Sequence, residues 1–440
     1  MSVPIDSQPS LLLHGSRLRL AGAQASSALL GAVRVNLMVR VALYIYILSI
    51  PFEWPGRPIP VEIPTLTGAF FLLSTVLHPS ACFKRVPAAF VWFAVFLWAF
   101  VLAVVVNRVE HHIPALQYFL NILQVVLLLW VIYNVLADER ALRGILISLV
   151  IACSIRALMQ VLGIGVTVHE EWTGGVRMTV LGQNANLSSM VLAGGMAVVI
   201  GLQVSADRRF SRFGLLTWPL AALMGVAIVQ SGSRGGILCA GAALAVFAIS
   251  GRSFFARLRN AVFAILAIAA LGWAVYNSDM MRGRLAFALE QRQLAGRERI
   301  YPAALNMIRE RPVFGWGPIA NQYEIAQRIN FRKFPYRDAH NMVLELFTGT
   351  GLLGGIPFLI GLGLSVRGAW RARRGPLGVL PLAMLLAVLM GTVPGTWMAA
   401  KIVWLAMALG LAAGAYMARP EAALPWSRAE RMTMMERMGT

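Results

Sequence analysis

The chain has 440 residues, of which 58% are apolar and only 13% charged, a balance that excludes an ordinary soluble protein of two or three domains. Its formal net charge of +20 is carried mostly by arginines clustered between apolar runs of about 20 residues, each long enough to cross a bilayer, so the charge reads as a topology signal before it reads as a nucleic-acid footprint. Three scattered cysteines, Cys82, Cys153 and Cys239, lack metal or redox spacing, lie in or beside apolar runs, and read as inert.

In chain order, the N-terminus carries Asp6, two early prolines and a short Leu11-Leu12-Leu13 apolar core, which does not make a cleavable signal peptide and reads as a cytoplasmic tail. Apolar spans follow near 38–53, 62–78, 86–106, 114–136, 143–164, 187–204, 214–230, 236–250 and 258–276, and after a long polar connection near 341–366, 376–393 and 399–417. The expected fold is an all-α integral membrane protein of about twelve transmembrane helices. Residues 1–276 would hold the tail and helices one to nine, residues 277–340 an outer helical loop, and residues 341–440 helices ten to twelve with a cytoplasmic C-terminal tail.

Orientation follows from the loops that hold Lys and Arg. One set carries Lys84 and Arg85; Arg140 and Arg143; Arg208, Arg209 and Arg212; Arg252, Arg257 and Arg259; and Arg367, Arg371, Arg373 and Arg374. The opposite short loops carry only Arg57, Arg108, Arg177 and Arg234, so both termini are expected inside and these single arginines outside. The 277–340 connection lies on the outer face by this count and is basic all the same, which calls for an anionic partner. Two helical pieces are expected in it. One ends at Arg311 with Pro302 as a first-turn proline, and one covers about 320–330 beyond the Phe314-Gly315-Trp316-Gly317-Pro318 turn.

The sharpest polar motif is Tyr336-Arg337-Asp338-Ala339-His340-Asn341 at the start of the tenth span. A neutral imidazole takes a proton near neutrality, and Asp338 or Glu345 would orient it, so His340 is the candidate general base. The competing reading is an interfacial histidine that caps the helix. Arg177, Arg234 and Arg297 sit in glycine-flanked outer segments, Gly174-Gly175-Val176-Arg177, Ser233-Arg234-Gly235 and Gly296-Arg297. A guanidinium pairs bidentately with phosphate oxygens and glycine lets backbone come close, so converging arginines suit a diphosphate, with Arg337 a further candidate for diphosphate or glycan. Solvated or headgroup-bound arginines are the alternative. Arg156, in the outer half of the fifth span, either faces a partner, cavity or headgroup or snorkels outward, and Lys401 invites the same pair of readings. There is no Asp-x-Asp, His-Glu-x-x-His, Gly-x-Ser-x-Gly or phosphate-loop motif, and His111-His112 and His169-Glu170-Glu171 do not complete a ligand set, so neither a metal nor another cofactor is expected.

Ser233-Arg234-Gly235, Gly296-Arg297, Arg311-Pro312-Val313-Phe314-Gly315-Trp316-Gly317, Ala339-His340-Asn341, Glu345 and Gly349-x-Gly351, in this order, resemble the O-antigen ligase and polymerase superfamily over about residues 174–357. One large outer loop before the tenth span and no additional C-terminal domain make the architecture most similar to the ligase branch. The polymerases and the protein O-oligosaccharyltransferases of the superfamily stand as alternatives. The resemblance implies a GT-C-like, metal-independent, inverting glycosyltransferase of lipopolysaccharide biosynthesis in the bacterial inner membrane. Its donor would be a glycan on undecaprenyl diphosphate, its acceptor lipid A-core, and its active site would face the periplasm. The family's histidine matches His340 and its arginines match Arg234 and Arg297. Arg177 matches less closely, because Asn184-Ala185-Asn186 departs from the family's Asn-Pro-Asn. The rival class is a transporter of lipid-linked glycans, which expects internal repeats and polar groups at the membrane midplane; the spans hold almost no ionisable residue besides Arg156. The aromatics Tyr301, Trp316, Tyr323 and Tyr336 suit either sugar stacking or packing of the loop.

Overall fold

Each of the twelve apolar segments is a helix in the computed structural model, which describes residues 34–55, 61–170, 176–204, 214–251, 253–290, 296–331 and 334–417. The two expected cytoplasmic tails, Arg57, Glu171, Arg208, Arg209, Arg212 and Arg252 lie outside the described residues. The first nine are α1 (Leu37–Ser49), α2 (Ile63–Ser74), α3 (Ala88–Val106), α4 (His112–Val135), α5 (Glu139–Val161), α6 (Ala185–Val204), α7 (Thr217–Gln230), α8 (Arg234–Ala248) and α9 (Phe254–Tyr276). The 277–340 connection supplies α10 (Asp279–Glu290), α11 (Arg297–Glu310) and α12 (Ala320–Arg328), and α13 (Met342–Ala372), α14 (Leu380–Thr392) and α15 (Lys401–Ala412) follow. By length and composition, α3, α4, α5, α6, α9 and α13 can cross a membrane, and the other apolar helices are shorter. The chain is a multi-pass, almost entirely helical membrane protein.

Local chemistry sets the helix ends. Asn36, Ser233, Ser253 and Asn341 each accept a backbone N–H of the following turn and so satisfy donors the helix leaves open. Asp138 caps α5 and also accepts the Val35 N–H at 2.9 Å, tying the start of α1 to the start of α5. Inside the bundle α6 packs on α7, α8 and α14, while α13 packs on α3 and α15. Lipid offers no hydrophobic drive between helices, so close backbone approach matters: a Cβ at Gly414 would stand 2.6 Å from Cα of Gly368, and only two glycines allow that crossing.

Two features depart from the sequence expectation. An antiparallel hairpin, β1 (Val166–Glu170) with β2 (Val176–Val180), stands between α5 and α6 and pairs His169 with Arg177. Among the described residues the 277–340 connection has three helices rather than two, α10 being the addition. It is anchored in a break of α13 at Gly351, whose φ of +60° and ψ of −158° interrupt the helix. The freed backbone there is answered by the outer segment: Trp316 N–H donates to Thr348 O at 2.8 Å, Gly317 N–H to Gly349 O at 3.0 Å and Leu352 N–H to Pro312 O at 2.7 Å. A Cβ at Gly351 would collide with the Val313 carbonyl, so the glycine-rich stretch serves this docking as well as helix packing.

Candidate active site

His340 lies at the junction of the 277–340 connection and α13 with φ +48°, a left-handed backbone that costs strain in a non-glycine residue. It does not cap α13; the Asn341 side chain does, accepting Val343 N–H at 2.9 Å and Leu344 N–H at 3.0 Å. The imidazole Nδ1 is 2.6 Å from Asp338 Oδ1, with both side chains a little over a quarter exposed. The other carboxylate oxygen of Asp338 accepts the Thr396 hydroxyl. Burial pushes the Asp338 carboxyl up, but the hydrogen bond and charge of His340, the Thr396 hydroxyl and the Arg337 charge together leave it below its ordinary value. Asp338 is thus a fixed carboxylate that holds Nδ1 and leaves Nε2 to act on a ligand. Of the two carboxylates the sequence offered as orienters, Glu345 does something else: it accepts the Ala339 N–H at 2.8 Å and the Asn321 and Gln322 amides at 3.1 and 2.8 Å, fixing the backbone just before His340.

Arg234 and Arg297 converge. Each is the first residue of its helix, α8 and α11, and the charge of Arg297 is felt at Arg234. Arg297 Nη2 donates to Pro394 O at 2.8 Å, and a Cβ at Gly235 would lie 3.0 Å from Pro394 Cγ, so both helix starts abut the same turn. The Asn341 amide donates to Val393 O at 3.1 Å, which brings the start of α13 there too. Three helix N-termini and two guanidiniums therefore meet at Val393–Thr396, and each helix end adds positive potential. The half-buried Arg234 side chain makes no hydrogen bond or ion pair with the described residues. A cation at a helix N-terminus beside a second cation is electrostatically unfavourable, which is the state an incoming anion relieves.

The four remaining candidates take different places. Arg177 stands on β2 next to Val176, whose carbonyl would be 3.1 Å from a Cβ at Gly232, two residues before Arg234. Arg156 is 1% exposed and donates to Gln183 Oε1 at 2.8 Å and Ser188 Oγ at 2.6 Å, so it neither snorkels nor reaches the surface. It underlies the segment whose Asn186 accepts the Ser233 hydroxyl at 2.7 Å, one residue before Arg234. Lys401 stands 3.9 Å from Glu53 Oε1, at the end of α1 that Gln183 also holds. The Arg337 guanidinium lies 4.8 Å from the Phe331 ring centroid, while its backbone N–H donates to Gln322 O.

Sequence reasoning missed the turn that joins these pieces. Val393, Pro394 and Thr396 lie between α14 and α15 and act through two carbonyls and a hydroxyl, groups that no charge or motif search weighs. Tyr301 was noted only for its ring, but its hydroxyl lies 3.4 Å from both His340 O and Val393 O. Trp316 is taken up by the protein, with the Arg311 and Arg328 guanidiniums at 3.9 and 4.9 Å from its ring. Tyr323 stacks on His111 at 3.7 Å, which accounts for one of the two expected surface histidine clusters.

No curated protein gives a significant match to the chain. Residues 219–359, the span from α7 through the 277–340 connection and the His340 junction into α13, match the family model described as O-antigen ligase, a match that supports membership of the O-antigen ligase and polymerase superfamily.

Proposed function

We propose that the protein is an O-antigen ligase, transferring a glycan from undecaprenyl diphosphate to a hydroxyl of lipid A-core without a metal. The observation that carries this reading is the pairing of a carboxylate-held imidazole with a two-arginine, three-helix-end anion pocket across a single turn, Val393–Thr396. His340 takes the proton from the acceptor hydroxyl as the oxygen attacks the anomeric carbon from the side opposite the diphosphate, which inverts the configuration. Arg234 and Arg297, with Arg177 at the rim, stabilise the charge that gathers on the leaving diphosphate, the task a divalent cation has in other transferases. Arg156 and Arg337 act on this pocket from behind, through Asn186–Ser233 and through Asp338 respectively.

The reading includes a membrane arrangement. All twelve apolar helices span, both termini lie inside, and the 277–340 connection with its site faces the periplasm of a bacterial inner membrane.

The test is a reconstituted reaction of purified protein with the lipid-linked glycan and lipid A-core, resolved by gel. The expected product is glycan on lipid A, formed equally well in EDTA. Lengthening of glycan on undecaprenyl diphosphate with none on lipid A would replace the ligase reading with a polymerase, and movement of donor across the bilayer without covalent product would replace it with a transporter.

A further inference from the structure

Four aromatic rings form a row that ends beside the His340 junction. The His111 and Tyr323 rings stack with centroids 3.7 Å apart, Tyr336 follows Tyr323 at 6.0 Å, and Phe334 follows Tyr336 at 6.1 Å with 30° between their planes. His111 and Tyr323 are partly covered, whereas Tyr336 and Phe334 are 49% and 50% exposed, so the row opens toward its outer end. Hydrogen bonds fix its place relative to the general base. The Arg337 N–H donates to Gln322 O at 2.9 Å, joining the neighbours of Tyr336 and Tyr323, and one carboxylate, Glu345, takes both the Gln322 amide and the Ala339 N–H at 2.8 Å. Tyr336 stands two residues before Asp338, the partner of the His340 imidazole.

Exposed rings serve loop packing, a lipid interface or a ligand, and the three differ in how the polar edge is treated. Trp316 shows the packed case: its indole N–H donates to Met307 O at 3.0 Å and two guanidiniums lie over its face. The hydroxyls of Tyr323 and Tyr336 make no hydrogen bond with the described residues. A pyranose has an apolar face of C–H groups rimmed by hydroxyls, so it uses the face of a tyrosine and its hydroxyl together, and rings at these intervals suit successive sugars of an oligosaccharide.

The placement of the row selects which glycan. An inverting attack brings the acceptor hydroxyl to the anomeric carbon from the side opposite the diphosphate. The arginine pocket is made by the starts of α8 and α11 and the Val393–Thr396 turn, whereas the row is made by α12, residues 334–336 and the residue before α4. Asp338 joins the two, with one oxygen on Thr396 of the pocket's turn and the other on His340. We propose that the row Phe334–Tyr336–Tyr323 seats the core sugars of the acceptor and so presents the accepting hydroxyl to His340. This rests on the ligase reading above and adds where the acceptor's sugars are held.

Tyr336→Leu is the discriminating variant, because leucine keeps apolar bulk for packing or lipid contact but has no flat ring, and Tyr336→Phe restores the ring. In the reconstituted reaction Tyr336→Leu should raise the KM for lipid A-core by about tenfold, with kcat and the KM for the lipid-linked donor within about twofold of wild type. Tyr336→Phe should bring the acceptor KM back to within about threefold. If Tyr336→Leu does not fold, Phe334→Leu at the exposed end gives the same pattern with a rise of about threefold. Binding is read separately with core oligosaccharide freed of lipid A: saturating the aromatic protons of the full-length protein in nanodiscs should attenuate the sugar C–H signals, and Tyr336→Leu should abolish the transfer. An unchanged acceptor KM, a raised donor KM in its place, or equal losses in the Leu and Phe variants each overturns the proposal. Free core oligosaccharide that binds through Tyr336 in a protein making no glycan on lipid A refutes the ligase reading and leaves the row standing. Transfer to lipid A with an acceptor KM indifferent to Tyr336→Leu does the reverse.

Discussion

Two corners of the outer layer use arginine in opposite ways. In one, Arg328 donates to Glu310 through Nη1 and Nη2 at 2.7 and 2.5 Å and to Glu324 through Nε at 2.7 Å, and lies with Arg311 over the Trp316 ring. Arg311 in turn donates to Asn107 at 2.8 Å. In the other, Arg234 begins a helix, faces a second arginine, and makes no hydrogen bond or ion pair with the described residues. The first corner is complete within the protein. The second is arranged against its own electrostatics, an arrangement that suits the anion site proposed above. Counting arginines in the sequence gave the whole 277–340 connection an anionic partner, but part of that charge, at Arg282 and Arg328, is answered by the connection's own carboxylates. The comparison assigns function to position, and substitutions on each side can break it.

The largest effect is expected at His340, the residue proposed above as the general base. His340→Ala should lower turnover by about a hundred- to ten-thousandfold, the usual worth of a general base, with donor binding retained through the arginines. His340→Gln can hydrogen-bond to Asp338 but cannot take the proton, and should fail as well. Single-turnover rates beside donor affinity separate the two steps. Near-normal turnover in either variant would leave the corner as a binding site only.

Arg234→Ala should come next, with a loss on the order of a hundredfold, comparable to removing one donor from an anion-stabilising site. Arg234→Lys should recover part of that, since a point charge replaces a planar fork. The sharper part of the expectation concerns stability: neither change should lower the thermal midpoint, because the wild-type guanidinium contributes repulsion rather than partners in the unliganded protein. A variant that is both inactive and destabilised would place Arg234 with Arg328 as a structural cation.

Asp338→Asn tests whether the held carboxylate matters apart from the imidazole, and about ten- to a hundredfold is expected, less than loss of the base itself. Thr396→Val, which removes the hydroxyl on the other oxygen, should cost less than Asp338→Asn and in the same direction. The sign of the pH dependence follows from the lowered carboxyl. Its contribution to stability is present above the value of an unfolded aspartate and is lost as pH falls through the still lower folded value. Asp338 therefore stays charged through the neutral range, and unfolding driven by its protonation belongs to strongly acid solution. A melting curve that softens between neutral pH and the ordinary carboxylate range would contradict this assignment.

How much of this was legible in the sequence depended on what kind of group did the work. The twelve apolar segments are helices at the places their apolar runs marked, and six of them are long and apolar enough to cross a membrane. His340, Arg234 and Arg297 stood out because they are ionisable and flanked by glycine. The hairpin was missed although Val166-Thr167-Val168 and Val176-Arg177-Met178-Thr179-Val180 are rich in β-branched residues on either side of Gly174-Gly175, a signal that was there to read. α10 gave no such sign, being short, mixed in character and followed by no clear stop. The Val393–Thr396 turn was beyond pattern reading. Its part is to offer carbonyl oxygens and one hydroxyl at the meeting of three helix ends, and only the packing of α8, α11 and α13 brings those ends together.

The smallest effect is expected at the closed corner, and it is what gives the comparison its force. Arg328→Gln removes two ion pairs and a stacking partner of Trp316, all at a partly exposed site where ion pairs contribute little and are screened by salt. The hydrogen bond from Arg328 holds Glu310 below the usual carboxylate range, so the pair's contribution is present above the value of an unfolded glutamate and lost as pH falls through the lowered one. In Arg328→Gln that acid sensitivity should vanish, the outer connection should become easier to cut by protease, and glycan transfer should stay within about twofold of wild type. Arg328 carries the same formal charge as Arg234 and sits in the same connected outer layer, so a general requirement for positive surface would make the two variants fail alike. A loss of transfer in Arg328→Gln comparable to that in Arg234→Ala would therefore dissolve the distinction between the corners, and the anion site would have to be drawn across the whole outer face.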